Sequence, residues 1–272
     1  MRTDGIALPE AGIAGRAATL LAELGERAEC CSLYDEDGSS IYHELAQQDH
    51  HEVRELISLV RGTAPGPVLD LAAGSGRLTM PLLALGREVT ALELSPSMLD
   101  LLRERLGKAP AGLRGRATLV QGDMSDFALG SAFACVVLAT TSISLLDETG
   151  RAGLYASVRR HLAPGGRFLL TTVDLDGSGP AERELNFSTA AGNDYRMFEY
   201  WEPGMEARVV SIFPARYDEG PVRVGLTSIR VLPADRLEAE LNASGLRVAA
   251  RHPLPPVGER HHSTLLEVEV AA

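Results

Sequence analysis

The sequence predicts an α/β protein with a doubly wound, mostly parallel sheet, a helical N-terminal cap and an inserted antiparallel β lid. Three observations predict it. Between Pro67 and Val173 short apolar runs alternate with helical patterns, the signature of β-α-β units. The first of those runs opens directly into a glycine-rich turn, Gly74-Ser75-Gly76. After residue 180 the rhythm becomes alternation with no helices between the runs.

Residues 1–60 read as helical, with Leu20, Leu21 and Leu24, then Val53, Leu56, Ile57 and Val60, at helical spacing. A polar turn, 34–40, separates the two helices. Val68-Leu69-Asp70-Leu71 is the first core strand, followed by the glycine turn and a helix near 77–85. Glu88 to Leu94 is the second; Ser95-Pro96 then supplies an N-cap and a proline at the first helical position. Ala117–Gln121, Ala134–Ala139 and Arg167–Val173 are the next three, the last after a helix over 147–162 that Pro164-Gly165-Gly166 ends. Tyr195–Trp201, Ala207–Arg216 and Val222–Val231 form the antiparallel ribbon. A helix from Ala234 to Ser244 stops at Gly245, and strands 246–250 and 265–270 complete the core sheet. The expected divisions are a cap over 1–62, a ligand-binding core over 63–180, a lid over 181–232 and a C-terminal element over 233–272.

Composition removes several chemistries. With 26 basic and 37 acidic residues the net charge is −11, which repels a nucleic-acid backbone and argues against DNA or RNA as partner. Lys108 is the single lysine and reads Gly-Lys-Ala, so a Walker A loop is absent. Cys30 and Cys31 are adjacent and Cys135 lies in an apolar run, a pattern that suits a reducing compartment and no disulfide framework. No apolar run approaches membrane-spanning length, so a cytoplasmic protein with no membrane partner is expected. The His50-His51 and His261-His262 pairs point in different directions on any regular element, so no metal is expected.

The informative stretch is Val68 to Thr79. A strand, a glycine turn and a helix start aim backbone N–H groups and a partial positive charge at a ligand. The dinucleotide fingerprint needs a third glycine, and Thr79 stands there. Asp70 at the strand end would also repel a pyrophosphate. Glu93, 23 residues further on, suits a ribose diol, since one carboxylate accepts from both hydroxyls; alone it also reads as an ordinary helix-start acid. Acidic strand ends beside a glycine turn fit a nucleoside that carries an amino group at its other end and no pyrophosphate.

Asp70-Leu-Ala-Ala-Gly74-Ser-Gly76, Glu93-Leu94-Ser95, Gly122-Asp123-Met124 and Leu162-Ala-Pro164-Gly165-Gly166 together resemble the ordered motifs of class I S-adenosylmethionine-dependent methyltransferases. Ala72 departs from the glycine frequent at its position. The resemblance implies a Rossmann-like fold and S-adenosylmethionine as cofactor. It implies that Asp70, Ala72, Gly74 and Gly76 surround the methionine moiety, with Ala139 at the end of the fourth strand. Glu93 takes the ribose hydroxyls, Leu94 and Met98 flank the adenine, Asp123 accepts from its exocyclic amine and Met124 offers a backbone N–H. Tyr34 and Tyr42 resemble the tyrosine-bearing entry segment of small-molecule methyltransferases, where a tyrosine reaches the cofactor. The run Leu24 to Asp35 is similar to daptide-type enzymes, which dimethylate a C-terminal amine of a ribosomal peptide.

The acceptor is less legible. Methyl transfer is an in-line displacement that needs an unprotonated nucleophile held close and dry, so no catalytic residue is obligatory. The fourth strand ends in Ala139-Thr140-Thr141-Ser142, without the Asn/Asp-Pro-Pro-aromatic signature of DNA amine methyltransferases. Thr141 therefore reads as floor of a small-molecule or peptide pocket, with Tyr200, Trp201 and Arg208 of the ribbon as further substrate candidates and Tyr42 and His262 as catalytic ones. Residues 1–60 hold 12 acidic against 4 basic residues, which favours a cationic amine acceptor. The expected function is N-methylation of a small molecule or peptide in natural-product tailoring. The rivals are O-methylation, nicotinamide-dependent reduction, and a cofactor-binding scaffold without turnover.

Overall fold

In the computed structural model, residues 12–33, 38, 41, 52–189, 192–255 and 260–271 are described. The chain divides into two compact units. One comprises Met1–Gln48 and Asp176–Val231, the other Asp49–Leu175 and Leu232–Ala272.

The second unit is a seven-stranded sheet. Strands β2 (Val68–Leu71), β3 (Val89–Glu93), β4 (Ala117–Gln121), β5 (Phe133–Leu138) and β6 (Leu162–Leu175) run parallel, and β11 (Leu246–Pro253) and β12 (His261–Val270) close one edge. The order is β11-β12-β6-β5-β2-β3-β4, with β12 antiparallel to β6. Successive side chains alternate between faces. Leu69, Leu71, Val136, Leu138, Phe168 and Leu170 pack on one side under helices α6 (Glu148–His161) and α7 (Ala234–Ala243). Val68, Cys135, Val137 and Leu169 pack on the other, under α2 (Val53–Gly62), α3 (Thr79–Ala84) and α4 (Pro96–Gly107). This is the doubly wound α/β architecture that the sequence predicts. The expected caps form: the Ser95 hydroxyl accepts from Met98 N at 3.4 Å, and Asp147 accepts from Gly150 N at 2.7 Å ahead of α6. Gly245 holds φ +75° after α7, where a Cβ would strike Arg159.

The first unit holds a five-stranded sheet in the order β1-β10-β9-β8-β7, from β1 (Ala28–Ser32), β7 (Glu182–Ser188), β8 (Asp194–Tyr200), β9 (Ala207–Pro214) and β10 (Val222–Arg230). Helix α1 (Gly15–Leu24) lays Ala17, Leu21 and Leu24 on Phe198, Phe213, Val222 and Val224.

Two expectations for the N-terminus need correction. Residues 28–32 are a strand, not helix, because β1 pairs parallel with β10 from Ala28↔Val222 to Ser32↔Leu226. A cap over 1–62 also does not stand as one body. Helix α2 buries Leu56 and Val60 in the core of the seven-stranded sheet, so the unit boundary falls near 48 rather than 62. The ribbon also has a strand more than expected, β7, whose burial pattern is too exposed to stand out as an apolar run. No helix among the described residues is long and apolar enough to cross a membrane.

Helices α6 and α7 are joined by an ion pair between a buried Arg151 and a partly buried Glu240. Arg151, 1% exposed, donates Nε to Glu240 Oε2 and Nη2 to Glu240 Oε1, both at 2.7 Å, and Nη1 to the Leu146 carbonyl at 3.0 Å. Burial disfavours the Glu240 carboxylate, but the Arg151 hydrogen bonds and charge outweigh it and hold the carboxyl below its usual range. Removing one partner leaves a guanidinium buried alone. Glu240→Ala is therefore expected to lower unfolding free energy by about 3 kcal/mol in urea titration. A loss below about 1 kcal/mol would show the pair to be dispensable.

Candidate functional site

Strand order reverses beside β2: β3 and β4 extend the sheet to one side, β5 and β6 to the other. In open α/β sheets the crevice outside the carboxyl ends of the strands at such a switch binds ligands. The residues that follow β2, β3 and β5 meet there.

The turn after β2 is shaped by left-handed backbone. Ala72, Gly74 and Gly76 have φ +51°, +54° and +85°. The two glycines serve different ends. A Cβ at Gly76 would lie 2.3 Å from Leu102 Cδ1, so Gly76 lets α4 close on the turn. A Cβ at Gly74 would meet no atom within 4 Å among the described residues, so its backbone borders open space. Ala72 takes the same left-handed geometry with a side chain, at a cost on the order of 1 kcal/mol.

Glu93 closes the turn. Its Oε2 accepts from Gly74 N and its Oε1 from Ser95 N, each at 2.8 Å. A carboxylate has about four acceptor positions, so both oxygens retain capacity for a ligand's hydroxyls. Leu94, next in the chain, is 62% exposed, an apolar side chain at the rim of the crevice. Met98 is buried on the first turn of α4. Asp123 is exposed after β4 and accepts from Ser125 N at 2.8 Å through Oδ1, while Met124 beside it is buried.

Asp70 behaves differently from Glu93. It is buried inside β2, where Thr79 Oγ1 donates to its Oδ2 at 2.6 Å. Burial pushes its carboxyl up to about 7; the Thr79 hydrogen bond and the Arg77 charge pull it back, and Glu93 raises it further. Asp70 thus ties the start of α3 to the central strand.

A family profile described as a methyltransferase domain matches residues 68–166, the span that contains these turns. The solved structure of the glycopeptide N-methyltransferase MtfA complexed with S-adenosyl-L-methionine is 42% identical, covering 95% of this chain and 98% of that one, with a TM-score of 0.67. The chain belongs to the class I S-adenosylmethionine-dependent methyltransferases. MtfA is also solved with S-adenosyl-L-homocysteine and with sinefungin. A dTDP-3-amino-3,4,6-trideoxy-alpha-D-glucopyranose N,N-dimethyltransferase of Streptomyces venezuelae is 37% identical over 118 residues, 42% of this chain and 46% of that protein. The cypemycin N-terminal methyltransferase of a Streptomyces species is 29% identical over 173 residues, 62% and 64% respectively. The chain spans about half the length of the curated sugar-nucleotide relatives it matches.

In this methyltransferase the remaining sequence-derived candidates fall into four groups. Ala139, buried, and Thr141 stand at the end of β5, where Thr141 N donates to Thr171 Oγ1 at 3.1 Å. Trp201 and Arg208 have polar groups engaged within the five-stranded unit: Trp201 Nε1 donates to the Met205 carbonyl at 2.9 Å, and Arg208 pairs with Glu199. Tyr200 there donates its hydroxyl to Glu202 at 2.7 Å. His262 is exposed on β12, opposite Asp174 in register. Tyr34 and Tyr42, with the 35–37 acids, lie outside the described residues. The cysteines are buried, and desolvation pushes the Cys135 thiol up to about 12, so it stays protonated.

Sequence reading missed Glu52, Arg77 and Thr140. Glu52, immediately ahead of α2, is 1% exposed; its Oε1 accepts from Thr140 N at 2.8 Å and pairs with the Arg77 guanidinium, which also donates to Thr140 Oγ1. Nothing local links residues 25 and 88 positions apart. The available signal was an acid at the start of an amphipathic helix and an arginine directly after the glycine turn.

The raised Asp70 carboxyl makes a pH prediction. An unfolded aspartate titrates near 4, so between about 4 and 7 the native state binds more protons than the unfolded one and stability falls as pH rises. Asp70→Asn keeps an acceptor for Thr79 and removes this titration. Between pH 5 and 8 the wild type should lose roughly 3 kcal/mol that Asp70→Asn retains, measured by paired urea titrations. Parallel curves would place the carboxyl in its ordinary range.

Proposed function

We propose that this chain transfers a methyl group from S-adenosylmethionine to an amine nitrogen of a small molecule or peptide in natural-product tailoring. The observation that carries this reading is the 42% identity to a glycopeptide N-methyltransferase along 95% of the chain, a span that takes in the five-stranded unit as well as the sheet. A peptide amine is the narrower acceptor class, since MtfA and the cypemycin N-terminal methyltransferase are both named for peptide-type substrates. Ribosomal-peptide tailoring, with the daptide-like C-terminal amine as one form, is the narrowest version.

The residues fit the cofactor on the geometry given above. Gly74 borders open space, the Glu93 carboxylate is fixed by two backbone amides with acceptor capacity left, and Leu94 offers apolar surface beside it. Bound there, S-adenosylmethionine supplies an activated methyl on a sulfonium. Glu93 would accept from the ribose hydroxyls, Leu94 and Met98 would flank the adenine, and Asp123 would accept from the exocyclic amine. The turn after β5, with Ala139 and Thr141, faces the acceptor. An alkyl ammonium titrates near 10.4, so freeing its lone pair at neutral pH costs about 4 kcal/mol, a cost that partial desolvation of the acceptor reduces.

S-adenosylhomocysteine should raise the melting temperature, and NADPH should not; the reverse pattern would sink the assignment. Incubation with peptide N-terminal amines, peptide C-terminal amines and amino sugars, read by mass spectrometry, distinguishes the acceptor classes. Glu93→Ala and Asp123→Ala should each weaken S-adenosylhomocysteine binding by at least about 1 kcal/mol, roughly fivefold in Kd, by calorimetry. Unchanged affinity in both would remove these two residues from the site.

A further inference from the structure

The turn that follows β5 has an unusual backbone. Among the described residues, the non-glycine ones with left-handed φ are Ala72, Thr140 and Thr141, at +51°, +59° and +53°. All three follow the two strands that flank the topological switch. For a β-branched residue this region is sterically costly, and such a conformation persists only where surrounding contacts over-determine it.

At Thr140 those contacts come from one carboxylate. Helix α2 is fixed on the sheet by Leu56 and Val60, both fully buried, which sets the position of Glu52 just ahead of it. Glu52 Oε1 accepts from Thr140 N at 2.8 Å. Arg77 joins the same oxygen and also donates to Thr140 Oγ1. The start of α2, the turn after β2 and the turn after β5 therefore meet on one buried side chain.

We propose that Glu52 is a positioning residue for methyl transfer: with Arg77 it clamps Thr140 in its left-handed geometry, beside Thr141, whose N–H donates to Thr171 Oγ1, and so sets the acceptor-facing turn against the cofactor turn. This rests on the function proposed above. Glu52 itself touches neither cofactor nor acceptor in this scheme. Its contribution lies in the placement of the acceptor, where a misplacement near 1 Å costs up to about a hundredfold in rate.

The test compares the full-length wild type with Glu52→Ala and Glu52→Gln. In a crystal structure of Glu52→Ala, Thr140 should leave the left-handed region. Its kcat on an amine acceptor should fall at least about tenfold, while its Kd for S-adenosylhomocysteine stays within about threefold of wild type. Glu52→Gln keeps an acceptor for Thr140 N and should restore most of the kcat. A purely structural role would lower the melting temperature without this split. If the lone Arg77 charge prevents folding, Glu52→Ala/Arg77→Met removes both partners and carries the same readouts. Retention of the left-handed φ at Thr140 in the variant, or a kcat within twofold of wild type, would overturn the proposal. Failure of the wild type to bind S-adenosylhomocysteine would instead overturn the function, and the turn conformation would still decide the clamp.

Discussion

A carboxylate that accepts two backbone amides from different loops fixes the distance between them, and Glu93 does this at the end of β3. Gly74 N holds one oxygen and Ser95 N the other. Ser95 in turn caps α4, and Leu102 of that helix lies where a side chain at Gly76 would go. The turn after β2, the turn after β3 and helix α4 thus form a closed circuit in which each contact presupposes the others. The N–H groups at this edge are aimed by that circuit and not by the glycines alone. Any group accepted at the edge therefore meets a fixed array, which is the condition for pre-organised binding.

Two acids on neighbouring strands show how environment divides their tasks. Asp70 sits inside the sheet with a threonine hydroxyl as its hydrogen-bond donor, and burial raises its carboxyl to about 7. Glu93, also buried, ends the neighbouring strand β3 and receives two amide donors. Sequence alone placed both on the ligand. Spacing identifies a strand-end acid, but it does not report whether that strand is covered on both faces, and β2 is buried at every position.

The core was legible because its signals are local. Strands β2 and β4 fall at the expected residues, and the Ser95 and Asp147 caps follow from short-range hydrogen-bond chemistry. What failed were features made by distant pairing. The strand at 28–32 exists through partners almost two hundred residues away, and the alternation Ala28-Glu29-Cys30 breaks at Cys31 and is too short to stand out. Helix α2 reads correctly as a helix, yet its allegiance to the seven-stranded sheet depends on which apolar surface Leu56 and Val60 meet. The same limit applies to the site. Glu93 was found through its spacing from the glycine turn, whereas Glu52 reaches the edge through contacts with Arg77 and Thr140 that no sequence interval predicts.

The acidity of the N-terminal 60 residues takes on a different meaning once burial is known. Treated as a uniform field, 12 acids against 4 bases would attract a cationic amine. Glu23, Glu26 and Glu29 are exposed to solvent, where salt screens them within about 10 Å. Glu52 is instead buried against a guanidinium, so its charge is neutralised where it stands. A long-range attraction therefore cannot draw on Glu52, which is bonded to the turn after β5. In the proposed scheme its influence on an acceptor runs through geometry: it holds Thr140 in a backbone conformation that is costly for threonine, and so bears on what the end of β5 presents.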